Sequence, residues 1–335
     1  MRQKRFAGGG RVGGRRLMQQ FWSSIWFVAQ VTGPIFLLVA LGAWLRVIKV
    51  IDERFVEDSA RVVFRVALPT LIFMAIAKTD PSELMRPAVL GCFVAATLAS
   101  FGGVFWISGQ FRMAAADRAA FVHGAFRSNY GIFGLAIGLN SFGQEALVVG
   151  SVILALLIPL YNILAVVSLT LPFHQTHALS WRDMLRQIVG NPLIIGVLAA
   201  LPFSLLQIPL PLLATRTGDY LANLTLPLAL IGIGGSLTLA GLREAGVKST
   251  IAALIKTVAL PLILTPVAIA LGFVGVELGM LYLAFAAPTA AASFPMTRAM
   301  GGNGEMAGQI IVVSTLASAF TLGAGLFILR WGGWI

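Results

Sequence analysis

The sequence predicts an all-α membrane protein with ten transmembrane helices. Of its 335 residues, 58% are hydrophobic and only 11% are charged, whereas soluble domains average about 25% charged residues. The mean hydropathy is +0.89. The chain divides into ten apolar runs separated by short polar segments, and a helix of about 20 apolar residues spans the hydrocarbon core of a bilayer. Because lipid cannot satisfy backbone polar groups, these runs are expected to be helices.

The ten runs are assigned from hydropathy and from the polar residues between them. They fall at residues 26–45, 62–78, 88–110, 119–139, 146–171, 187–206, 218–240, 249–274, 279–298 and 307–330. The predicted organisation is a basic, disordered tail at 1–25, five helices at 26–171, a cytoplasmic linker at 172–186 and five further helices at 187–332.

The distribution of the basic residues along the chain argues against a nucleic-acid partner. The formal net charge is +11, but many Lys and Arg residues lie in the tail and in short loops, so no folded basic face remains. One cysteine, Cys92, and three scattered histidines give no metal or disulfide cluster. No nucleophile–base pair or phosphate loop is present. We therefore expect neither an enzyme nor a bound cofactor.

Loop charge predicts the orientation in a bacterial inner membrane. Lys and Arg concentrate in the odd-numbered loops, which the positive-inside rule places in the cytoplasm, with the N-terminus in the periplasm. The Arg-rich tail opposes this orientation. A translation start at Met18 would remove the conflict and is favoured over a cleaved signal peptide, since no small-residue cleavage site follows the first run.

Two pairs of motifs indicate an internal repeat. Leu-Pro pairs end at Pro69 and Pro227, and Glu145 and Glu305 precede the fifth and tenth runs, in each case roughly 160 residues apart. Each half then holds five helices, and because five is odd the second half enters the membrane from the opposite side. Inverted repeats of this kind commonly bind substrate near the midplane, at interrupted helices.

The fourth and ninth runs are predicted to be the interrupted helices. The fourth contains Gly131, Gly134 and Gly138, which weaken a helix and permit close backbone approach. The ninth contains Pro288 and Pro295, each of which removes a backbone donor. Interrupted backbone is tolerated in a membrane only where it is buried in protein or lines a polar cavity.

At these segments the sequence resembles the auxin efflux carrier family, from about residue 28 onward. The matching stretches are Val66-Ala67-Leu68-Pro69, Ser128-Asn129-Tyr130-Gly131, Ile158-Pro159-Leu160-Tyr161-Asn162, Gly190-Asn191-Pro192-Leu193, Leu226-Pro227-Leu228-Ala229-Leu230, Pro288-Thr289-Ala290 through Met300-Gly301-Gly302-Asn303, and Ser314-Thr315-Leu316-Ala317-Ser318. The resemblance implies two inverted five-helix repeats whose broken fourth and ninth helices cross near the substrate. Family members carry a proline where this chain has Ala136, so the break in the fourth helix is expected at Gly134 and Gly138.

The candidate substrate-binding residues surround these two helices. Asn129 can donate to a carboxylate, Arg127 and Arg298 flank the interrupted segments, and an arginine fork suits a carboxylate. Each has a structural alternative, namely helix–helix hydrogen bonding for Asn and headgroup contact for Arg. The full set is Asn129, Tyr130, Gly131, Gly134, Asn162, Pro288, Thr289, Ser293, Pro295, Thr297, Arg127 and Arg298. Arg65 and Lys256 are interpreted as anchors at the membrane interface.

We therefore expect a secondary transporter that moves a small organic anion, such as a malonate-like dicarboxylate, by alternating access. The alternative is a sodium-coupled carrier of the related bile-acid symporter architecture, which would need oxygen ligands around a cation where acids are scarce. A proton and a sodium ion are both open as coupling ions. Membrane lipid is an expected partner, and a homodimer is left open.

Overall fold

The chain folds into long helices, which we label in order. The computed structural model describes residues 9–80, 86–173, 190–237 and 242–335, with side chains from Met18 onward. The helices are α1 (Gly9–Val47), α2 (Glu53–Ala77), α3 (Pro87–Ser108), α4 (Ala115–Phe126), α5 (Tyr130–Phe142), α6 (Gln144–Thr170), α7 (Pro192–Leu205), α8 (Leu212–Ser236), α9 (Val247–Ala270), α10 (Gly275–Ala286), α11 (Ser293–Ala299) and α12 (Gly304–Trp331).

Local chemistry explains where several of these helices begin. Asp52 and Asn303 accept hydrogen bonds from the first-turn amides of α2 and α12, and Asn191 does the same for α7. Pro87 and Pro192 are the first residues of α3 and α7, where the missing proline N–H would have had no helical acceptor. These four helix starts thus follow from capping residues and prolines that the sequence displays.

The helices make this a multi-pass membrane protein. Six of the described helices are long and apolar enough to cross a bilayer, and three shorter apolar helices, α5, α7 and α10, accompany them. These nine overlap nine of the ten predicted runs. The remaining run corresponds to α8, a helix of 25 residues that carries Arg216 and Asp219 near its start.

The helices pack as two sets. In the first, α8 packs along α1 and α2, and α7 packs on α2; we call this the four-helix set. In the second, α12 contacts α4, α9 and α11, while α6 contacts α3, α4 and α5; we call this the crossing set. The sets meet where α1 contacts α5 and α12 and where α2 contacts α6.

Small residues bring α1 and α8 into close contact. A Cβ atom added at Gly234 would overlap the carbonyl of Val39, and one added at Gly42 would overlap the carbonyl of Ile231. Membrane helices have little hydrophobic drive to associate with one another, so close backbone packing at small residues supplies much of their attraction.

We therefore expect Gly234→Val to be strongly destabilising. The new side chain would overlap backbone, which cannot rotate away, and overpacking costs about 1–3 kcal/mol even where side chains can adjust. The thermal midpoint of the detergent-purified variant should fall clearly below that of the wild type. Gly33→Val in α1 is the matched control, because a Cβ there meets nothing within 4 Å. Equal midpoints for the two variants would contradict the packing.

Two predicted boundary segments differ from the structure or lie outside it. The tail predicted as disordered over residues 1–25 is partly helical, since α1 begins at Gly9; residues 1–8 are outside the described chain. The linker predicted at 172–186 is described only at its first two residues, which belong to a short 3-10 turn, Leu171–Phe173.

Candidate functional site

Two helix breaks meet and pair with each other in the crossing set. The first separates α4 from α5 at residues 127–129, and the second separates α10 from α11 at residues 287–292. The Asn129 amide donates to the Pro288 carbonyl at 2.7 Å, and the Ala290 amide donates to the Arg127 carbonyl at 3.1 Å. Together they form an antiparallel bridge between Ser128 and Thr289. Each break thereby satisfies backbone groups that the other exposes.

The first break lies upstream of the predicted position. The expectation that Gly134 and Gly138 interrupt the fourth helix is wrong, since both are helical within α5. Gly134 instead makes room for the ring of Tyr130, which occupies the space that a Cβ would need. The break falls at Arg127, in extended conformation at φ −76°, ψ 116°, because its backbone bonds to the second break. Pro295 lies in the first turn of α11 rather than in the gap.

Arg127 is the centre of a polar cluster at this crossing. Its guanidinium lies 3.2 Å from His123 Nε2, 3.3 Å from Asn162 Oδ1 and 3.3 Å from Met296 Sδ. On the far side of the imidazole, His123 Nδ1 lies 3.0 Å from Thr297 Oγ1. Because arginine can only donate, Nε2 must accept, which assigns the proton to Nδ1 and leaves His123 neutral. The cluster ties α4, α6 and α11 together.

The Arg127 guanidinium lacks an acidic partner. The six ion pairs found among the described residues join other groups, and its hydrogen bonds reach only the neutral atoms of His123, Asn162 and Met296. Its Nε–H forms no hydrogen bond within the described chain. Positive charge held away from water without a counter-ion is costly. An anion that reached the crossing would therefore be attracted to it.

Several polar side chains beside Arg127 also lack partners. Asn129 is 7% exposed, and its side-chain amide makes no hydrogen bond to the described residues. The hydroxyl groups of Tyr130 and Ser293 are buried without a hydrogen-bond partner in that part of the chain. Buried polar groups in native proteins are usually paired. These groups can supply donors or acceptors to a small polar ligand.

Of the other predicted residues, some form hydrogen bonds that hold the crossing together and others are exposed. The Thr289 hydroxyl donates to the Gly124 carbonyl at 2.8 Å, and its backbone amide donates to Ser314 Oγ at 3.1 Å, so it holds the crossing together. The Thr297 hydroxyl lies within hydrogen-bond distance of His123 and so helps to hold the imidazole in place. At Gly131 an added Cβ would make only ordinary van der Waals contact with Leu154, so close packing does not require glycine there. Pro295 and Arg298 are exposed, so Arg298 does not join Arg127 at the crossing.

Two residues of this region were missed or misinterpreted from sequence. His123 precedes Arg127 by one helical turn, a spacing that places both on one face, and this signal could have identified it. The interpretation of Lys256 as an interfacial anchor is wrong. It is 1% exposed, and its ammonium donates to the Phe285 carbonyl. Nothing in a lone lysine within an apolar run reveals an acceptor on another helix.

A cavity of about 690 Å³ lies between the four-helix set and the crossing set. Its walls come from α1, α2 and α8 on one side and from α5 and α6 on the other. The polar groups among its lining residues are Lys78, Thr79, Asn140, Gln144, Asp219 and Asn223. Lys78 and Asp219 form an ion pair at 3.0 Å. None of the twelve predicted site residues lines this cavity.

Two ion pairs hold the N-termini of the helices around the crossing. Arg86, just before α3, pairs with Glu277 of α10 at 2.7 Å, and the hydrogen bond to Glu277 raises the pKa of the Arg86 guanidinium. Lys248 of α9 pairs with Asp117 of α4 at 3.4 Å. In each pair the acid lies in the first turn of its helix, where the dipole favours a negative charge.

A family model described as membrane transport protein matches residues 27–324, most of the chain. The chain belongs to this family. It is the auxin efflux carrier family that the sequence motifs predicted, so that prediction is confirmed. The protein is therefore a member of a family of membrane transporters. Two relatives align with this chain over nearly their whole length.

The first relative is an "Uncharacterized transporter" of Methanothermobacter thermautotrophicus, 23% identical over 86% of this chain and 94% of its own length. The second is a "Putative malonate transporter" of Rhizobium meliloti, 27% identical over 91% of this chain and 98% of its own length. The transporter described here therefore spans essentially the whole of both relatives.

Proposed function

We propose that this transporter is a secondary carrier that moves a small organic anion across the bacterial inner membrane by alternating access. The observation that carries the proposal is the Arg127 guanidinium, which lies at the paired helix breaks without an acidic partner in the described chain. The N-terminus of α5 begins at Tyr130, beside it, and a helix N-terminus adds partial positive charge. The crossing thus has the electrostatics of an anion site.

An inverted repeat accounts for the arrangement of charges around the crossing. Asp117 and Glu277 are roughly 160 residues apart, as are Arg86 and Lys248. The cation before α3 pairs with the acid of α10, and the cation of α9 pairs with the acid of α4. This reciprocal exchange is what a pseudo-two-fold axis between two five-helix halves produces. With an odd number of spans in each half, the second half enters the membrane from the opposite side, and the Lys and Arg residues of the odd-numbered loops favour a cytoplasmic position for those loops and a periplasmic N-terminus.

A dicarboxylate of malonate size fits the groups available. One carboxylate can take the unused donors of Arg127, since guanidinium–carboxylate pairs are short and strong. The Asn129 amide and the Ser293 hydroxyl can serve the second. The relative named for malonate supports the same substrate class here.

Alternating access is proposed to come from motion of the crossing set against the four-helix set. The cavity lies between these two sets, and a contact from the Asn140 side-chain amide of α5 to the Val31 carbonyl of α1, at 3.1 Å, bridges them. Motion at this interface would connect the cavity with the crossing. The sodium-coupled alternative has less support, since the described crossing offers no carboxylate to a metal cation.

The test measures ligand-induced stabilisation of the purified protein. Malonate should raise the thermal midpoint, since a ligand present at a free concentration of 100 times its Kd stabilises the folded protein by about 2.7 kcal/mol. Malonamide, its neutral diamide, should not. Asn129→Ala should abolish the malonate-induced rise while leaving the ligand-free midpoint close to wild type, because the side-chain amide of Asn129 makes no hydrogen bond within the described chain. Stabilisation by malonamide and by no acid would refute an organic-anion carrier.

A further inference from the structure

The amino group of Lys256 lies deep in the crossing set. It lies in α9, is 1% exposed, and donates to the carbonyl of Phe285, one residue before the end of α10. The space beside it is bordered by Thr97 and Ser100 of α3 and by Tyr161 of α6. No Asp or Glu of the described chain forms an ion pair with Lys256.

The acceptor of Lys256 is a helix end created by the second break. Residues 287–292 interrupt the helix immediately after α10, so the last carbonyls of α10 lack helical partners and carry partial negative charge. In carriers with broken helices, such half-helix C-terminal ends commonly bind the coupling cation. Here an ammonium of the protein itself occupies that position.

This ammonium lies close to the proposed anion site. Tyr161 borders the Lys256 cavity, and its ring packs edge-to-face against Phe126, the last residue of α4, at a centroid distance of 5.7 Å. Arg127 follows Phe126 directly in the chain. One aromatic side chain thus separates the two positive groups.

We propose that Lys256 is a built-in cation that replaces an exchangeable sodium ion at the C-terminal end of α10. An anion at the crossing is then attracted by the protein's own charge, and its binding requires no sodium. The proposal rests on the anion-carrier function proposed above. The proposal explains why an ammonium is buried with no carboxylate beside it. A lysine that served only to pack the helices would have no need of a buried charge.

The first experiment compares salts and a neutral replacement. The malonate-induced rise in thermal midpoint of the wild type should be the same in sodium chloride and in choline chloride at equal ionic strength. Lys256→Met should keep or raise the ligand-free midpoint, since replacing a buried charge by an apolar side chain is often neutral or stabilising. Its malonate affinity should fall at least tenfold. A sodium requirement in the wild type, or wild-type affinity in Lys256→Met, would overturn the proposal.

The second experiment needs no substrate. Lys256→Ala removes the ammonium and leaves space for a small cation, so methylammonium should raise its ligand-free midpoint, whereas the bulkier tetramethylammonium should not. The wild type and the control Lys248→Ala, which loses an ion-paired lysine at the start of the same helix, should respond equally to both salts. No selective response in Lys256→Ala refutes the built-in cation. A selective response without any malonate effect in the wild type refutes only the anion-carrier function.

Discussion

Arg127→Met is expected to weaken malonate binding and uptake strongly while the protein still folds. The substitution removes the charge that no described acidic residue balances, and the methionine retains much of the apolar stem. Because charge-assisted hydrogen bonds to a carboxylate contribute about 1.5–3 kcal/mol, affinity should fall by at least tenfold. Isothermal titration with malonate and uptake into proteoliposomes measure the two effects.

Two further variants separate charge from geometry at this position. Arg298→Met removes an arginine that flanks the second interrupted helix but is exposed, and it should bind malonate as the wild type does. Arg127→Lys keeps the charge but loses the fork that reaches His123 and Asn162 together, so it should bind with intermediate affinity. Wild-type affinity in Arg127→Met would rule out the guanidinium as the anion contact.

Hydropathy was sufficient to predict most helices because a bilayer imposes one simple rule on sequence. A lipid-facing segment must be apolar for about 20 residues and must satisfy its own backbone, so each of the six long helices overlaps a predicted run. The exact break in the fourth run was not predictable in the same way. Arg127 leaves the helix because its carbonyl accepts from Ala290, a contact between residues far apart in the chain.

The candidate site shows the same division between local and distant causes. Arg127 and Arg298 looked alike in sequence, since each flanks an interrupted segment, yet only Arg127 reaches the polar cluster. Asn162 was one of the candidates, and its contact with Arg127 arises because α6 packs against α4. The burial of Lys256 is explained only by the break after α10, which leaves the Phe285 carbonyl free to accept its hydrogen bond. Residue types in the sequence identified the two interrupted helices as the candidate site, whereas the packing of the helices decides which side chains reach the polar cluster around Arg127.

Asn223→Trp is expected to block uptake with little loss of stability. Asn223 is an exposed residue of α8 that lines the cavity between the two helix sets, so an indole there would occupy space into which the sets must move. Exposed substitutions usually change stability by less than about 0.5 kcal/mol. Proteoliposome uptake of malonate should fall at least tenfold, whereas the thermal midpoint should stay near that of the wild type.

The matched control for this substitution is Leu213→Trp, on the same helix. Leu213 is 81% exposed and does not line the cavity, so its replacement adds an indole to α8 without obstructing the space between the sets. Uptake by this control should equal that of the wild type. If Asn223→Trp also transports normally, the cavity is not on the substrate path, and the moving interface must lie elsewhere. Retained malonate binding in Asn223→Trp, together with lost uptake, would place the obstruction in the motion rather than in the site, because Arg127 and Asn129 do not line this cavity.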